Sequence, residues 1–470
     1  MPQTGVRRAA PIVSLPALLS SGIMTVNTDT IDRDPTCGHD PRRTRWELVN
    51  LGAMCIGYAA MMLCRNTLIA SSAAMIRDPS VGLDKARYGR LMSWHSAGAI
   101  AGKLATGVAA DRIGGRKMFL LVLLLTAAST AAFGMVSGFY LFALLNFSGQ
   151  FFKSGGWPAV AKLIGEWYPR RKHGRLWSII AISSRVGTMT AGVLLGALLL
   201  VIPWRSVFMV SAAIAGLTLL AGWLWLKERP ADVGLPPPNL ERQASEEKPI
   251  SSHPLDGTTI PQACLAFARS PRVWMICFGM AFLAILMDFI HFIPIYLSES
   301  LNLVPGEAAI SGSAFPAGML FALIATSLFY DRLSRRRLVR VLGGLLALGC
   351  ACALSLWALP GLPIPGSMDM PIAITSIFML GFAICPAYYI PMSVFSIRFG
   401  GQHSGLLITL IDAFGYAAAL LFNFFGGSIA QNYGWPVFLG GLLTVAVLAL
   451  VTMTTFLQLE HRAEARGAAT

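Results

Sequence analysis

Twelve stretches of roughly 20 residues with few or no charges follow one another along this chain, and each is long enough to cross a hydrocarbon core as an α-helix. They fall at 48–75, 90–110, 118–136, 138–163, 176–202, 204–226, 272–297, 308–330, 338–359, 370–396, 404–430 and 436–458. With 55% hydrophobic and only 13% charged residues, the chain is too apolar for an ordinary water-soluble domain. The expected fold is an all-α membrane protein. A polar tail occupies 1–45, six spans occupy 46–226, a linker occupies 227–270, six more spans occupy 271–458, and a short tail occupies 459–470.

The two sets of six are related. DRIGGRK, Asp111 to Lys117, returns 220 residues later as DRLSRRR, Asp331 to Arg337, and WRSVF at Trp204 returns 231 residues later as WPVF at Trp435. Two echoes with similar offsets imply one membrane unit used twice, giving two pseudo-symmetric six-helix bundles, which is the build of many secondary transporters.

A net charge of +14 invites a nucleic-acid reading, but the basic residues are spread over short connections and not gathered on one soluble face, so no nucleic-acid partner is expected. Arg112, Arg116 and Lys117 follow the second span, Arg170, Arg171, Lys172 and Arg175 the fourth, and Arg332, Arg335, Arg336 and Arg337 the eighth. The connections after spans 3, 7, 9 and 11 carry no Lys or Arg. Positive loops stay inside, which puts both termini and the linker in the cytoplasm of a multi-pass protein of a bacterial inner membrane. Arg77, Lys85, Arg87 and Arg90, after the first span, run against this pattern. Of the eight cysteines, Cys55, Cys64, Cys277, Cys350, Cys352 and Cys385 lie within spans and read as small hydrophobes, not a disulfide framework. The sequence carries no metal-ligand spacing, phosphate-cradling glycine loop or nucleophile constellation, so neither an enzyme nor a cofactor is expected.

Function has to be sought in charges stranded at lipid depth, where they are costly and face a cavity or a partner. Arg65 in span 1, Lys103 in span 2 and Arg185 in span 5 supply cations, and Asp288 in span 7 and Asp412 in span 11 supply carboxylates. Arg65 is either a planar fork for a phosphate or carboxylate or an ion-pair partner of one of the two acids. Lys103 lies eight residues before Asp111, about 12 Å along a helix, and is an even choice between ligand contact and snorkelling. Asp288 is a candidate proton site or the counter-ion of Arg65 or Arg185. His291, three residues on, shares its helical face and is a candidate relay, although a lone histidine is more often simply packed. Asp412 is shallower and reads as a gating residue.

These residues carry a resemblance. Twelve spans with DRIGGRK after the second, including Asp111, Arg112, Gly115 and Arg116, and a related motif at Asp331 and Arg332, resemble the major facilitator superfamily over about 46–460. Within it, YAAMMLCR at Tyr58–Arg65, GGWPAVAKLIGEWYPRRKHGR at Gly155–Arg175 and KERPADVGLPP at Lys227–Pro237 are similar to the organophosphate:phosphate antiporter family, which includes glycerol-3-phosphate and hexose-phosphate transporters. The resemblance implies that Arg65 is a phosphate-binding arginine, Tyr58 a cavity tyrosine beside it and Lys103 the lysine of helix 2. It also implies two departures: the second phosphate arginine of helix 7 falls on Leu286, and the histidine of helix 5 is replaced by Ser184 followed by Arg185. A singly charged anion needs only one strong fork. The expectation is a monomeric carrier of a small organic anion, phosphate ester or carboxylate, with phosphate or a proton as coupling ion. A transporter-like membrane sensor or a proton-coupled exporter of amphiphilic compounds is the alternative. Cysteines placed within 111–117 and 331–337 are expected to react with an impermeant thiol reagent from the same side of the membrane; reaction from opposite sides overturns this topology.

Overall fold

The computed structural model describes residues 41–237, 255, 257–330, 333–361 and 365–465. The amino-terminal half contains α1 (Pro41–Arg77), α2 (Lys85–Ile113), α3 (Gly115–Met135), α4 (Phe139–Lys153), α5 (Gly156–Trp167), α6 (Arg170–Leu199) and α7 (Trp204–Trp225). A short helix, α8 (Ile260–Arg269), precedes the second half. That half contains α9 (Pro271–Asp288), α10 (Ile293–Ser300), α11 (Pro305–Gly312), α12 (Ala314–Phe329), α13 (Arg335–Ala358), α14 (Asp369–Gly400), α15 (Ser404–Asn432) and α16 (Gly434–Ala465).

These helices form twelve rods, because three rods are broken: α4 with α5, α9 with α10, and α11 with α12. Proline accounts for the breaks, since its ring clashes with the carbonyl four residues back and it has no N–H to donate, and Pro158 lies four residues after Ser154 at the α4–α5 break. Pro294 interrupts the seventh rod, leaving a 3-10 turn at Phe289–His291, and Pro316 follows the break at Ser313 in the eighth. Nine segments of the described residues are apolar and long enough to span a bilayer, one of which, 366–432, holds both α14 and α15. The two rods that fail that test are α2, which carries several charges, and the interrupted α4–α5. Both turn polar side chains inward, as described below.

The duplication is visible in the backbone. A Cβ built on Gly98 meets the Phe147 carbonyl oxygen at 2.4 Å, and one on Gly318 meets the Phe378 carbonyl oxygen at 2.0 Å. The two contacts are displaced by 220 and 231 residues, the offsets of the sequence echoes. Between the halves the same relation holds. Gly89 and Gly427 let α2 and α15 touch, a Cβ on Gly427 reaching the Lys85 carbonyl oxygen at 2.2 Å, and Gly196 and Gly306 do the same for α6 and α11 at 2.8 and 2.7 Å from each other's carbonyl oxygens. Both seams lie at the end of the bundle opposite the α2–α3 junction, and they close that end.

DRIGGRK is a junction more than a loop, which corrects the expectation of a loop motif. Asp111 and Arg112 sit in the last turn of α2, Gly115 and Arg116 open α3, and Gly114, with φ 97°, turns the chain between them. Asp331 and Arg332 lie outside the described residues. The Glu228 carboxylate accepts from the backbone N–H groups of Gly115 at 2.7 Å and Arg116 at 2.9 Å, placing a negative charge where the helix N-terminus has free donors. Arg116 in turn donates to the Leu226 and Trp223 carbonyl oxygens at 2.6 and 2.7 Å. The start of the expected linker is thus bound to the amino-terminal half, and its end forms α8, which buries Ala263 and Phe267.

The basic residues that run against the charge pattern have local work at the closed end. Arg77 Nη2 donates to the Ser298 and Leu303 carbonyl oxygens at 3.0 and 3.1 Å, and Lys85 Nζ lies 2.8 Å from Glu299 Oε2, so both tie one half to the other. Beside them Asp78 accepts from Ser80 and from the Trp204 indole, hydrogen bonds that hold its carboxyl below the usual range.

The two kinds of glycine contact predict different defects. Gly98→Leu forces apart helices within one half and is expected to lower thermal stability and the yield of folded protein. Gly427→Leu strikes only the seam between the halves; folded protein is expected in normal amount, with a cysteine placed at Ser93 more reactive than in the parent. Equal loss of folded protein in both variants overturns the distinction.

Candidate functional site

Arg65 lies on the inner face of α1, a third of the way from its carboxyl end, and its Nε is buried without a hydrogen-bond partner. Among the described residues no carboxylate lies within 4.0 Å of its guanidinium, so the ion-pair alternative for Arg65 is not realised here. Tyr58, two turns earlier, is buried with its ring 5.6 Å from that of Trp157 in edge contact, within electrostatic reach of Arg65 and Arg185.

Of the other four charges, Lys103, Asp412 and Arg185 meet partners across the interface between the halves, and Asp288 stays within its own. Lys103 forms an ion pair with Asp412, and its ammonium also sits 4.1 Å from the centre of the Tyr416 ring, a cation–π contact. Tyr388 donates to the same carboxylate at 3.4 Å. Arg185 donates to the Tyr389 hydroxyl oxygen and lies 5.3 Å from that ring's centre. Asp288 pairs with neither arginine. It accepts from Asn423 Nδ2 at 2.7 Å, with His291 Nδ1 at 3.7 Å from the same oxygen.

Asn423 holds this cluster together. Its side-chain oxygen faces His291 Nδ1 at 3.1 Å, while its Nδ2 donates to Asp288 and to the Ala419 carbonyl oxygen. The break in the seventh rod makes the arrangement accessible from the other half: Tyr88, on α2, donates to the His291 carbonyl oxygen at 3.0 Å. The His95 ring on α2 meets the His291 ring edge to face at 5.7 Å. From Gly89 through Ser93, which donates to the Leu420 carbonyl oxygen at 3.0 Å, and on to Lys103, one face of α2 is fitted turn by turn to α15.

Several of these side chains are absent from the sequence reading. Asn423, Tyr389 and Tyr416 carry no formal charge, so a search for intramembrane charges does not find them. Lys153 is a different case. It lies within the expected span 138–163, and the rule that singles out Arg65 applies to it equally. The structure buries it to 8% exposure at the end of α4, within electrostatic reach of Arg65, Lys103 and Arg185. Four cations therefore converge on the middle of the molecule, and of these Lys103 has a carboxylate partner.

Comparison with known proteins bears on the family and the fold. The family model described as Major Facilitator Superfamily matches residues 54–360 and 282–469. A probable hexose phosphate transport protein of Chlamydia trachomatis is 24% identical over 436 residues, covering 86% of this chain and 90% of its own. The membrane sensor protein UhpC of Salmonella typhimurium is 24% identical over 443 residues, covering 91% and 96%. Among solved structures, a peptide transporter POT superposes with a TM-score of 0.66 at 17% identity, covering 88% of this chain and 94% of its own.

An unpaired guanidinium among cations should bind an anion through its fork as well as its charge. Arg65→Lys keeps the charge and loses the two-donor plane. It is expected to weaken binding of a small anion at least tenfold, about 1.4 kcal/mol, with no change in the amount of membrane-inserted protein. Affinity equal to the parent's would make Arg65 a structural residue.

Proposed function

The chain belongs to the major facilitator superfamily, and on that premise we propose that it is a secondary active transporter of a small organic anion, a phosphate ester or carboxylate. The single observation that carries the substrate class is the Arg65 guanidinium, at mid-depth with no carboxylate within 4.0 Å among the described residues, and with Lys153 and Arg185 close enough to reinforce its field. The similarity to a hexose phosphate transport protein along most of both chains supports the same class. Transport needs no covalent chemistry: the closed end held by the two glycine seams opens while the other end closes, so that a central site is exposed to each side in turn. In this reading the termini face the cytoplasm of a bacterial inner membrane, and one chain is the working unit.

Asp288 is assigned to coupling. It is 18% exposed, hydrogen-bonded to the neutral amide of Asn423 and neighboured by His291, a setting in which a carboxyl can exchange a proton without breaking an ion pair between the halves. The acids do not support the exporter alternative, because Asp412 is taken up by Lys103 and Asp288 by Asn423. The sensor alternative has the similarity to UhpC in its favour, and transport activity separates it from the carrier.

In proteoliposomes with an imposed pH gradient, the parent is expected to accumulate an organic anion from a panel of phosphate esters and carboxylates. Asp288→Asn is expected to lose accumulation yet retain exchange of solute across the membrane. Undiminished accumulation by the Asn variant removes the proton role and leaves anion exchange; binding without any flux in the parent favours the sensor.

A further inference from the structure

The amino-terminal half contains a chamber of its own. It lies between α1, α2, α3, α4 and α7, encloses about 400 Å³ of empty space with open solvent included, and draws none of its wall from the second half. Its interior has room for roughly three water-sized positions, which suits a single polar group and not a whole sugar. Arg65 and Lys153 both line it, and among the described residues its wall holds no carboxylate.

The wall also carries polar atoms that have nothing to bind. Arg65 Nε, Thr126 Oγ1 and His95 Nε2 are all buried without hydrogen-bond partners, and all three belong to residues of this chamber. Thr126 is 3% exposed, His95 5% and Lys153 8%, so these groups are withdrawn from bulk solvent. Buried polar atoms normally have partners, and leaving one unmet costs about 1–3 kcal/mol. Several on one small cavity, beside two cations, point to a ligand with negative charge and several acceptor oxygens. His95 is held in a defined orientation: Asn146 Nδ2 donates to the Leu91 carbonyl oxygen at 2.8 Å, leaving the Asn146 oxygen to accept from His95 Nδ1 at 3.3 Å. The neutral ring then presents the Nε2 lone pair to the chamber, suited to a hydroxyl or protonated oxygen of the ligand.

We propose that this chamber is the seat of an oxyanion group, held by the Arg65 Nε–H, the Lys153 ammonium and the Thr126 hydroxyl, entirely within the amino-terminal half. The inference deepens the transport reading and rests on it in one respect, that the oxyanion is the head group of the transported solute. The body of that solute then extends past Arg65 towards the second half, whose His291 lies within electrostatic reach of the same guanidinium. Lys153 thereby supplies the second cation that Leu286 cannot supply from the seventh rod.

The test uses the purified full chain in chloride-free buffer with inorganic phosphate and acetate as probes, following thermal stability and calorimetric affinity. At least one probe is expected to stabilise the parent. Lys153→Gln is expected to weaken that probe at least tenfold, Lys153→Arg to recover most of the loss, and the near-isosteric Thr126→Val to weaken it several-fold while folding normally. Lys117→Gln, which removes an exposed charge outside the chamber, serves as the control and should change nothing. Parent-like affinity in both Lys153→Gln and Thr126→Val overturns the site, as does the absence of any probe effect on the parent. A probe that inhibits uptake competitively is acting in place of the solute head group; a probe that depends on Lys153 but binds together with the solute supports the site as one for a free oxyanion and overturns its assignment to the head group. If uptake proceeds while Lys153→Gln is silent, this inference fails and the transporter stands. Lys153-dependent probe binding without uptake has the reverse meaning.

Discussion

A cation at the centre of a bilayer costs about 2.5–3.5 kcal/mol on the insertion scale unless it is neutralised or hydrated, and this fold brings Arg65, Lys103 and Arg185 within the field of Lys153. The two intramembrane acids do not balance them. Asp412 neutralises Lys103, whereas Asp288 spends its hydrogen bonds on Asn423 and His291. The remaining positive potential is the constraint from which the chemistry of the molecule follows. It selects an anion, it makes the arginine fork useful, and it requires a surrounding of neutral acceptors such as the Tyr389 hydroxyl to keep the unliganded protein folded.

The interface between the halves has two layers with different strengths. At the closed end glycine lets α2 meet α15 and α6 meet α11 at backbone contact, beside the directional bonds of Arg77, Lys85 and Ser93. Nearer the middle lie the directional bonds of Lys103–Asp412 and the Asn423 cluster. Taking one partner from a buried pair leaves an uncompensated charge, which is why such contacts discriminate between states more than they stabilise any one. The peripheral pair, Lys85 with Glu299, is partly exposed, and on the scale of exposed pairs it contributes about 1 kcal/mol or less. A ligand that draws Lys103 towards itself would therefore loosen the middle layer first, leaving the closed-end bonds of Arg77, Lys85 and Ser93 still to break.

Much of this architecture was legible in the chain, for a physical reason: a bilayer permits few solutions, and apolar length is a direct signal of the one adopted. The twelve rods and their duplication could be read from runs of leucine and alanine and from two short echoes. The DRIGGRK stretch was misread as a loop because charge density looks the same in a connection and in the last turn of a helix; only Gly114, at positive φ, separates α2 from α3. The site was less legible still. Charged residues announce themselves in an apolar span, but their partners here are tyrosines, an asparagine and a histidine whose relevance depends on which rods are neighbours. Asp288 could be found, whereas Asn423, 135 residues further on, could not. Lys153 carries a signal of the same kind as that of Arg65, a cation within an apolar span, two residues before the GGWP segment.

The duplicated unit also explains why the framework can be symmetric while the site is not. Gly98 and Gly318 occupy equivalent crossings because each faces a carbonyl oxygen that leaves no room for a side chain, so both copies must keep glycine there. No such backbone contact dictates what projects into the chamber of the first half. The first half could therefore gather Arg65, Lys153 and His95, and the second could carry Leu286 in the seventh rod and place its acids at Asp288 and Asp412, without disturbing either set of crossings. In the proposed reading an anion held by the half with the cations needs no symmetric clamp, and Asp412 of the other half meets that side of the interface through its ion pair with Lys103.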